Sequence, residues 1–212
     1  ASNPGRPQLA APSDTGISDH DGTTSDTMPT FSGTGAEAEA TIVLFAGSRE
    51  IGRTTADPSG HWDITVLDAE KFTADGSYAV TARQIDAAGN ASELSDAFTL
   101  VIDTVGPAVS SFMSKASSRE FQLGFSEQIV FKPTGLFKLF QAASDLLSFS
   151  GSGSNWYVRD GAGGDDSVLN FKISMLGLYN LQMNNEAVQD LAGNVAVIGS
   201  PQWEVNLSAP PA

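Results

Sequence analysis

The 212-residue sequence contains no cysteine and only two histidines. Without cysteine, disulfide bonds, thiolate catalysis and cysteine-ligated zinc sites are all excluded. With so few histidines, a histidine-built zinc or iron site is not expected. No segment approaches the 18 apolar residues of a membrane-spanning helix, and the first residues lack the charged and apolar regions of a signal peptide. We therefore expect a soluble chain without membrane insertion, whose export and anchoring signals lie outside it.

Basic residues are also scarce, since 11 Lys and Arg stand against 25 Asp and Glu, a formal net charge of −14. Such a surface repels nucleic acid and anionic lipid and attracts cations, so nucleic acid is excluded as a partner. Residues 1–105 hold 16 acidic and 5 basic residues (−11), and residues 106–212 hold 9 and 6 (−3). Much of the acid is Asp in turn-like contexts, which indicates cation-binding loops.

The first half contains short β-type runs separated by turns, without a helical period. The hydrophobic fraction of 41% is enough to bury a core in each half. Trp62, Ile64 and Val66 alternate with polar residues, which predicts that they share one face of a strand. The predicted strands of this half are 40–45, 50–55, 61–66, 78–85 and 98–102. Strands at this spacing are typical of a β-sandwich.

The second half is less regular but is also dominated by β-type runs. Its predicted strands are 121–127, 136–140, 156–158, 168–173, 179–183 and 203–207. Residues 141–147 could form a short helix, and the pattern leaves this open. Residues 150–154 are a Gly/Ser loop. Residues 161–169 faintly resemble a calcium-binding nonapeptide repeat, but a single copy cannot stack, so a hairpin turn is favoured.

Several motifs in the first half occur in a fixed order. They are Asp14-Thr15-Gly16-x-x-Asp19-x-Asp21-Gly22, Asp26-Thr27-x-Pro29-Thr30-Phe31-x-Gly33-Thr34, Asp57-x-x-Gly60-x-Trp62, Asp86-Ala87-Ala88-Gly89-Asn90 and Val101-Ile102-Asp103-Thr104. Together they resemble a bacterial immunoglobulin-like (Ig-like) repeat over roughly residues 8–105. This resemblance implies a seven-strand-type sandwich that is used in series as a stalk or spacer in giant surface adhesins, often with calcium at the joints.

The second half resembles another group of bacterial Ig-like domains through the Phe125-Ser126-Glu127 element, the strand at Tyr179 and the turn Asp190-Leu191-Ala192-Gly193-Asn194. Both halves carry an Asp-x-Ala-Gly-Asn turn before the final strand, and Asp86 and Asp190 are 104 residues apart, one module length. We therefore predict an all-β, elongated chain of two tandem Ig-like sandwiches, with domains at 1–105 and 106–212.

The main candidate for chemistry is a calcium site. Ca²⁺ takes six to eight oxygen ligands, and Asp14, Asp19, Asp21 and Asp26 supply four carboxylates within thirteen residues. The alternative is a series of Asx turns in a solvated loop.

Strand order in an antiparallel sandwich places this acidic loop near the chain exit of the first module and the Asp190 turn near the chain entrance of the second. We therefore expect the loop, Asp103, Asp190 and Asn194 to converge on one calcium-binding joint. Asp86, with Asn90, occupies the equivalent turn at the opposite end, where a partial site or a plain Asx turn with Gly89 at positive φ is expected.

Catalysis is not expected, because there is neither a Gly-x-Ser-x-Gly elbow nor a phosphate-binding loop. A glycosidase pair of Glu127 with Asp160 or Glu186 is conceivable, but a sequence this acidic offers many such pairs. Trp62, Trp156, Tyr157 and Trp203 raise the question of a sugar-binding platform, and packing in the core or at an edge is favoured.

The sequence therefore predicts a monomeric, extracellular structural extender of a bacterial surface adhesin, with neighbouring Ig-like modules of the same chain as partners. Two alternatives stay open. The second domain could bind a host or matrix glycan or protein, or the chain could be an accessory domain of a secreted polysaccharide-degrading enzyme.

Overall fold

The computed structural model divides the chain into two compact units, Ala1–Val105 and Gly106–Ala212. The structure describes residues 2–115, 120–131, 137–141, 144–149, 156–158, 167–172, 178–184, 187–198 and 203–206. Within these residues the regular structure is almost entirely strand, so the all-β prediction is confirmed. None of the helices in the described ranges is long and apolar enough to cross a membrane.

The first unit contains two sheets and two short 3-10 turns. Its strands are β1 (Gln8–Leu9), β2 (Thr23–Thr24), β3 (Thr30–Gly33), β4 (Thr41–Ala46), β5 (Arg49–Thr55), β6 (Trp62–Thr65), β7 (Gly76–Ile85) and β8 (Phe98–Ile102). The 3-10 turns are Ala11–Ser13 and Asp68–Glu70. One sheet has the order β1-β3-β6 and the other the order β2-β8-β7-β4-β5. The pair β2–β8 is parallel, and the other pairs are antiparallel.

The core of the first unit follows from alternation along its strands. Trp62, Ile64 and Val66 are buried while Asp63 and Thr65 between them are exposed, which confirms the predicted common face. On β7, Val80 and Ala82 are buried in the same way. These side chains belong to one hydrophobic cluster that includes residues of both sheets, among them Phe31, Ile42, Leu44 and Leu100. Two sheets that share one core form a sandwich.

The second unit also consists of antiparallel sheets. Its strands are β9 (Val109–Lys115), β10 (Glu120–Phe125), β11 (Val130–Phe131), β12 (Phe137–Gln141), β13 (Ser144–Phe149), β14 (Trp156–Val158), β15 (Val168–Lys172), β16 (Leu178–Met183), β17 (Val188–Gln189) and β18 (Trp203–Asn206). The sheet orders are β14-β15-β10-β9, β13-β12-β16-β18 and β11-β17. Residues of several strands, including Phe121, Leu123, Leu169, Leu181 and Val188, form one buried cluster.

The structure decides one segment that the sequence leaves open and contains one strand that the sequence does not predict. The described part of residues 141–147 is extended rather than helical, because β12 and β13 pair with each other across Leu139 and Leu147. Cross-strand pairing therefore decides the structure of this segment. The sequence does not predict β9, the first strand of the second unit, because Val109–Lys115 contains three serines and carries no strict alternation. The loop 150–154 and most of the predicted turn at 161–169 lie outside the described residues.

Candidate functional site

The turn after β7 is organised by the carboxylate of Asp86. Its Oδ1 accepts hydrogen bonds from the backbone N–H groups of Ala88 (2.9 Å) and Asn90 (2.8 Å), and its Oδ2 accepts one from Asn90 Nδ2 (2.9 Å). Gly89 has φ of 85°, a conformation that glycine adopts without steric cost. The side-chain amide of Asn90, followed by its backbone N–H, lowers the pKa of Asp86. The turn therefore favours an ionised aspartate.

The turn at 190–194 in the second unit has the same construction. Asp190 Oδ1 accepts the backbone N–H of Asn194 (2.9 Å), and Oδ2 accepts Asn194 Nδ2 (2.8 Å). The backbone N–H of Asp190 donates to the carbonyl of Asn194 (3.1 Å), as that of Asp86 does to Asn90 (3.0 Å). Gly193 has φ of 91°. The sequence repeat therefore corresponds to a structural repeat, one copy in each unit.

A third turn of this type connects β5 and β6. Asp57 Oδ1 accepts the backbone N–H groups of Ser59 (2.8 Å) and His61 (3.0 Å), and Gly60 has φ of 80°. The hydroxyl of Ser59 and then the N–H of His61 lower the pKa of Asp57. Here His61 stands where the other two turns have Asn, so no side-chain amide reaches the second carboxylate oxygen.

Asp190 differs from its two counterparts in burial and in its neighbour. Only 1% of Asp190 is exposed, whereas Asp86 is half-buried and Asp57 is exposed. A carboxylate oxygen of Glu127, two residues after β10, lies within 4.8 Å of one of Asp190. Two negative charges this close repel each other, and a cation between them would remove the repulsion. Among the described residues of the second unit, this pair is the strongest candidate for a metal site.

The acidic loop of the first unit contains one buried carboxylate, that of Asp14. Asp14 is 7% exposed, and its Oδ2 accepts the backbone N–H of Gly22 (3.1 Å). Its Oδ1 has no hydrogen-bond partner. Burial raises the pKa of Asp14; the Gly22 N–H opposes this, and the charges of Asp21 and Asp19 add to it. Of the four carboxylates that the sequence singles out here, Asp14 is the one held in an unfavourable environment.

The other three carboxylates of the loop make local contacts. Asp21 Oδ1 accepts the backbone N–H of Thr23 (2.8 Å), and Asp26 Oδ1 accepts that of Met28 (2.8 Å), as in Asx turns. Asp19 lies 3.3 Å from His20 Nε2 at the exposed surface. Among the described residues, no three of the loop's carboxylates approach within 4.8 Å of one another. Calcium binding by this loop stays a prediction.

Asp103 lies just after β8, and its backbone is held by the first unit. Its N–H donates to the carbonyl of Thr24 (3.0 Å), and its Oδ1 accepts the N–H of Val105 (3.3 Å). The next residue, Thr104, donates from both its backbone N–H (3.1 Å) and its hydroxyl (2.8 Å) to Asp75 Oδ1. The start of the linker is therefore ordered by side chains of the first unit.

Comparison with known families places the first unit. The sequence model of the family described as bacterial Ig-like domain matches residues 1–104. Residues 1–104 belong to the bacterial Ig-like domain family. The resemblance that rests on the motifs of the first half is thus confirmed, and the acidic loop, the Asp86 turn and Asp103 are parts of this Ig-like domain. A search of curated protein sequences finds no match.

Solved structures with a similar arrangement have low identity and low TM-scores. A biofilm-associated protein (BSP domain) is 12% identical, with a TM-score of 0.29, over 98% of this chain and 30% of that one. A structure from a 1.5-MDa bacterial ice-binding adhesin is 15% identical, with a TM-score of 0.39, over 90% of this chain and 61% of that one. The D00-D0 domain of intimin is 14% identical, with a TM-score of 0.27, over 94% of this chain and 96% of that one. The chain thus spans less than two thirds of the first two structures.

The structure describes only some of the residues that the sequence raises for catalysis or sugar binding. In the Ig-like domain both histidines lie at the surface, His20 beside Asp19 and His61 3.7 Å from Asp63. Trp62 is in the core, and the half-buried Trp203 stacks on Phe112 at a centroid distance of 6.4 Å. The side chains of Trp156 and Tyr157, and residues Asp160 and Glu186, lie outside the described part of the chain. The absence of enzyme activity stays a prediction.

Two functional candidates escaped the sequence analysis. The sequence does not single out Asp75, and it presents Glu127 only as part of the Phe125-Ser126-Glu127 element and of a conceivable glycosidase pair. Asp75 is 29 residues before Thr104, and Glu127 is 63 residues before Asp190. A local pattern does not reveal such pairs, and the one available signal is an acidic residue placed directly beside a strand end.

Proposed function

We propose that this chain is a structural extender segment of a bacterial cell-surface adhesin, in which calcium bound at the linker stiffens the joint between consecutive Ig-like modules. Membership of residues 1–104 in the bacterial Ig-like family supports the structural part of this proposal. The observation that carries the calcium part is the buried Asp190 beside Glu127. The implied location is extracellular, at the cell surface, and the implied partners are neighbouring modules of the same chain.

The donor atoms of the second unit suit calcium. Ligand oxygens lie about 2.4 Å from Ca²⁺, so two ligands of one ion are at most about 4.8 Å apart. The carboxylates of Glu127 and Asp190 meet this limit. Each Asp190 oxygen that accepts from Asn194 has a second lone pair, which can face a metal. Asn194 would then orient the ligand from outside the coordination sphere.

The linker is short enough for Asp103 to supply a further carboxylate ligand. Gly106 is three residues after Asp103, which limits the distance between their Cα atoms to about 11 Å. A Cβ at Gly106 would lie 2.1 Å from the Val195 carbonyl oxygen and 3.4 Å from Asn194 Cβ, so the chain enters the second unit directly at the Asp190 turn. A linker carboxylate so close along the chain would complete a site that Asp190 and Glu127 begin.

Isothermal titration calorimetry and thermal unfolding of the whole chain test the calcium proposal. We expect calcium to bind and to raise the unfolding temperature of the second unit relative to excess EDTA, because a ligand that binds only the folded state stabilises it. Asp190→Asn should weaken the binding, whereas Asp86→Asn, which changes the same turn in the first unit, serves as the matched control. Identical melting profiles and scattering curves in EDTA and in millimolar calcium would rule the proposal out.

A further inference from the structure

The linker is anchored on the side of the first unit by three consecutive residues. Ile102 pairs with Thr24 in the parallel ladder of β2 and β8, and the Asp103 N–H donates to the Thr24 carbonyl. Thr104 then donates two hydrogen bonds to a single oxygen, Asp75 Oδ1. Because the acceptor is a carboxylate, these bonds are stronger than those between neutral groups.

The linker is also anchored on the side of the second unit. The N–H of Val197 donates to the Pro107 carbonyl (2.9 Å), and Ala108 exchanges hydrogen bonds with Ser126 (3.0 Å to the hydroxyl, 2.8 Å from the N–H). Two residues, Val105 and Gly106, lie between Thr104 and Pro107. These two residues are the part of the linker that lies between the two sets of hydrogen bonds.

The position of Asp75 in the first unit allows its carboxylate to hold Thr104. It directly precedes β7, and its neighbour Gly76 pairs with Ile102, the last residue of β8. The Asp75 carboxylate therefore lies beside the end of β8, and two bonds to Thr104 restrict both the backbone and the side chain of that residue. Without these two bonds, Thr104 would join Val105 and Gly106 in the segment between the Asp103 anchor and Pro107.

We infer that Asp75 is a positioning residue, which holds the start of the linker in one conformation and thereby fixes the direction of the Asp103 carboxylate, with or without bound metal. The part of this inference that concerns metal affinity rests on the proposed function. The part that concerns linker order does not, because the bonds to Thr104 involve no metal.

The test measures the distance distribution between spin labels on the whole chain in EDTA. The absence of native cysteine allows labels at Leu67→Cys and Met113→Cys, both at exposed positions, one in each unit. Asp75→Ala should broaden the distribution. Thr104→Val, which loses the hydroxyl bond but keeps the N–H bond, should give a smaller broadening, and Thr104→Ser should match the parent chain. Asp96→Ala, which removes an exposed carboxylate of the same unit, is the control.

Calcium titration of the same variants separates the part of the inference that concerns metal affinity from the part that concerns linker order. If calcium binds the parent chain, Asp75→Ala should raise the apparent Kd by about fivefold or more, since a smaller fraction of molecules holds the ligands in place. If calcium does not bind the parent chain, the proposed function fails while the distance measurement still decides the role of Asp75. An Asp75→Ala distribution as narrow as that of the parent chain would overturn the inference. If Asp75→Ala does not fold, the comparison of Thr104→Val with Thr104→Ser decides it.

Discussion

Replacing Asp190 with alanine should destabilise the second unit substantially, even without calcium. The substitution removes the acceptor of two hydrogen bonds from Asn194 at a position where 1% of the aspartate is exposed. A hydrogen bond to a charged group contributes about 1.5–3 kcal/mol. Since effects within one turn are not additive, we expect a loss of about 2–4 kcal/mol in the free energy of unfolding.

The matched variant is Asp86→Ala, which removes the same type of contact from the same type of turn in the first unit. Asp86 is half-buried, so water can replace much of what the carboxylate provides, and the loss should be smaller. Differential scanning calorimetry or urea unfolding in EDTA measures the loss of stability in both variants. At about 4–8 °C per kcal/mol for a domain of this size, a loss of about 2–4 kcal/mol through Asp190→Ala should lower the melting temperature of the second unit by roughly 8–32 °C. Equal losses in the two variants would refute the argument that burial decides the energetic role of this turn.

Two further predictions concern the first unit. Gly33→Ala should destabilise the first unit by about 1–3 kcal/mol through overpacking, because the new Cβ would lie 2.2 Å from Cζ2 of the buried Trp62. Urea unfolding measures this loss, and an unchanged unfolding midpoint would contradict the prediction. Asp14→Asn should stabilise the calcium-free unit at neutral pH, because burial raises the pKa of Asp14 above 3.8 and the folded state therefore disfavours the carboxylate. The advantage should shrink as pH falls through the folded-state pKa of Asp14, where the folded wild-type protein takes up the proton first. Urea unfolding at several pH values measures this, and an Asp14→Asn variant less stable than the parent chain at pH 7 would refute it.

The sequence allows the fold of the first unit to be predicted in more detail than that of the second. Strict alternation around Trp62 and the long β-branched run of β4 predict strands that the structure contains. The short strands β1 and β2 carry two residues each, too few for any periodicity, and their position depends on pairing with β3 and β8. In the second unit, residues 144–149 pair with β12 although their local pattern leaves a helix possible. Non-local pairing is the information that the local pattern lacks.

The candidate metal site also depends on a non-local contact that the local sequence pattern does not show. The spacing of Asp190 and Asn194 predicts the turn, and the structure contains it. The partner that makes this turn a candidate metal site is Glu127, which comes close only because β10 ends beside it. Of the four acidic residues that cluster in sequence, Asp21 and Asp26 accept backbone N–H groups in Asx turns, and Asp14 accepts the N–H of Gly22. Proximity along the chain therefore misses the Glu127 part of this candidate site, while calcium binding by the acidic loop stays a prediction.

The three Asp-x-x-Gly turns separate the structural role of the motif from a role in metal binding. At Asp57 the turn forms with His61 in the last position, so neither the Asn side chain nor a neighbouring carboxylate is required for its geometry. At Asp86 the Asn is present, and the aspartate is half-buried in a turn whose other residues are exposed. At Asp190 the same geometry is combined with burial and with a second carboxylate within 4.8 Å. The motif alone thus explains a stable turn, and the calcium hypothesis depends on the additional features of Asp190, which is why Asp190 and Asp86 form the decisive pair of variants.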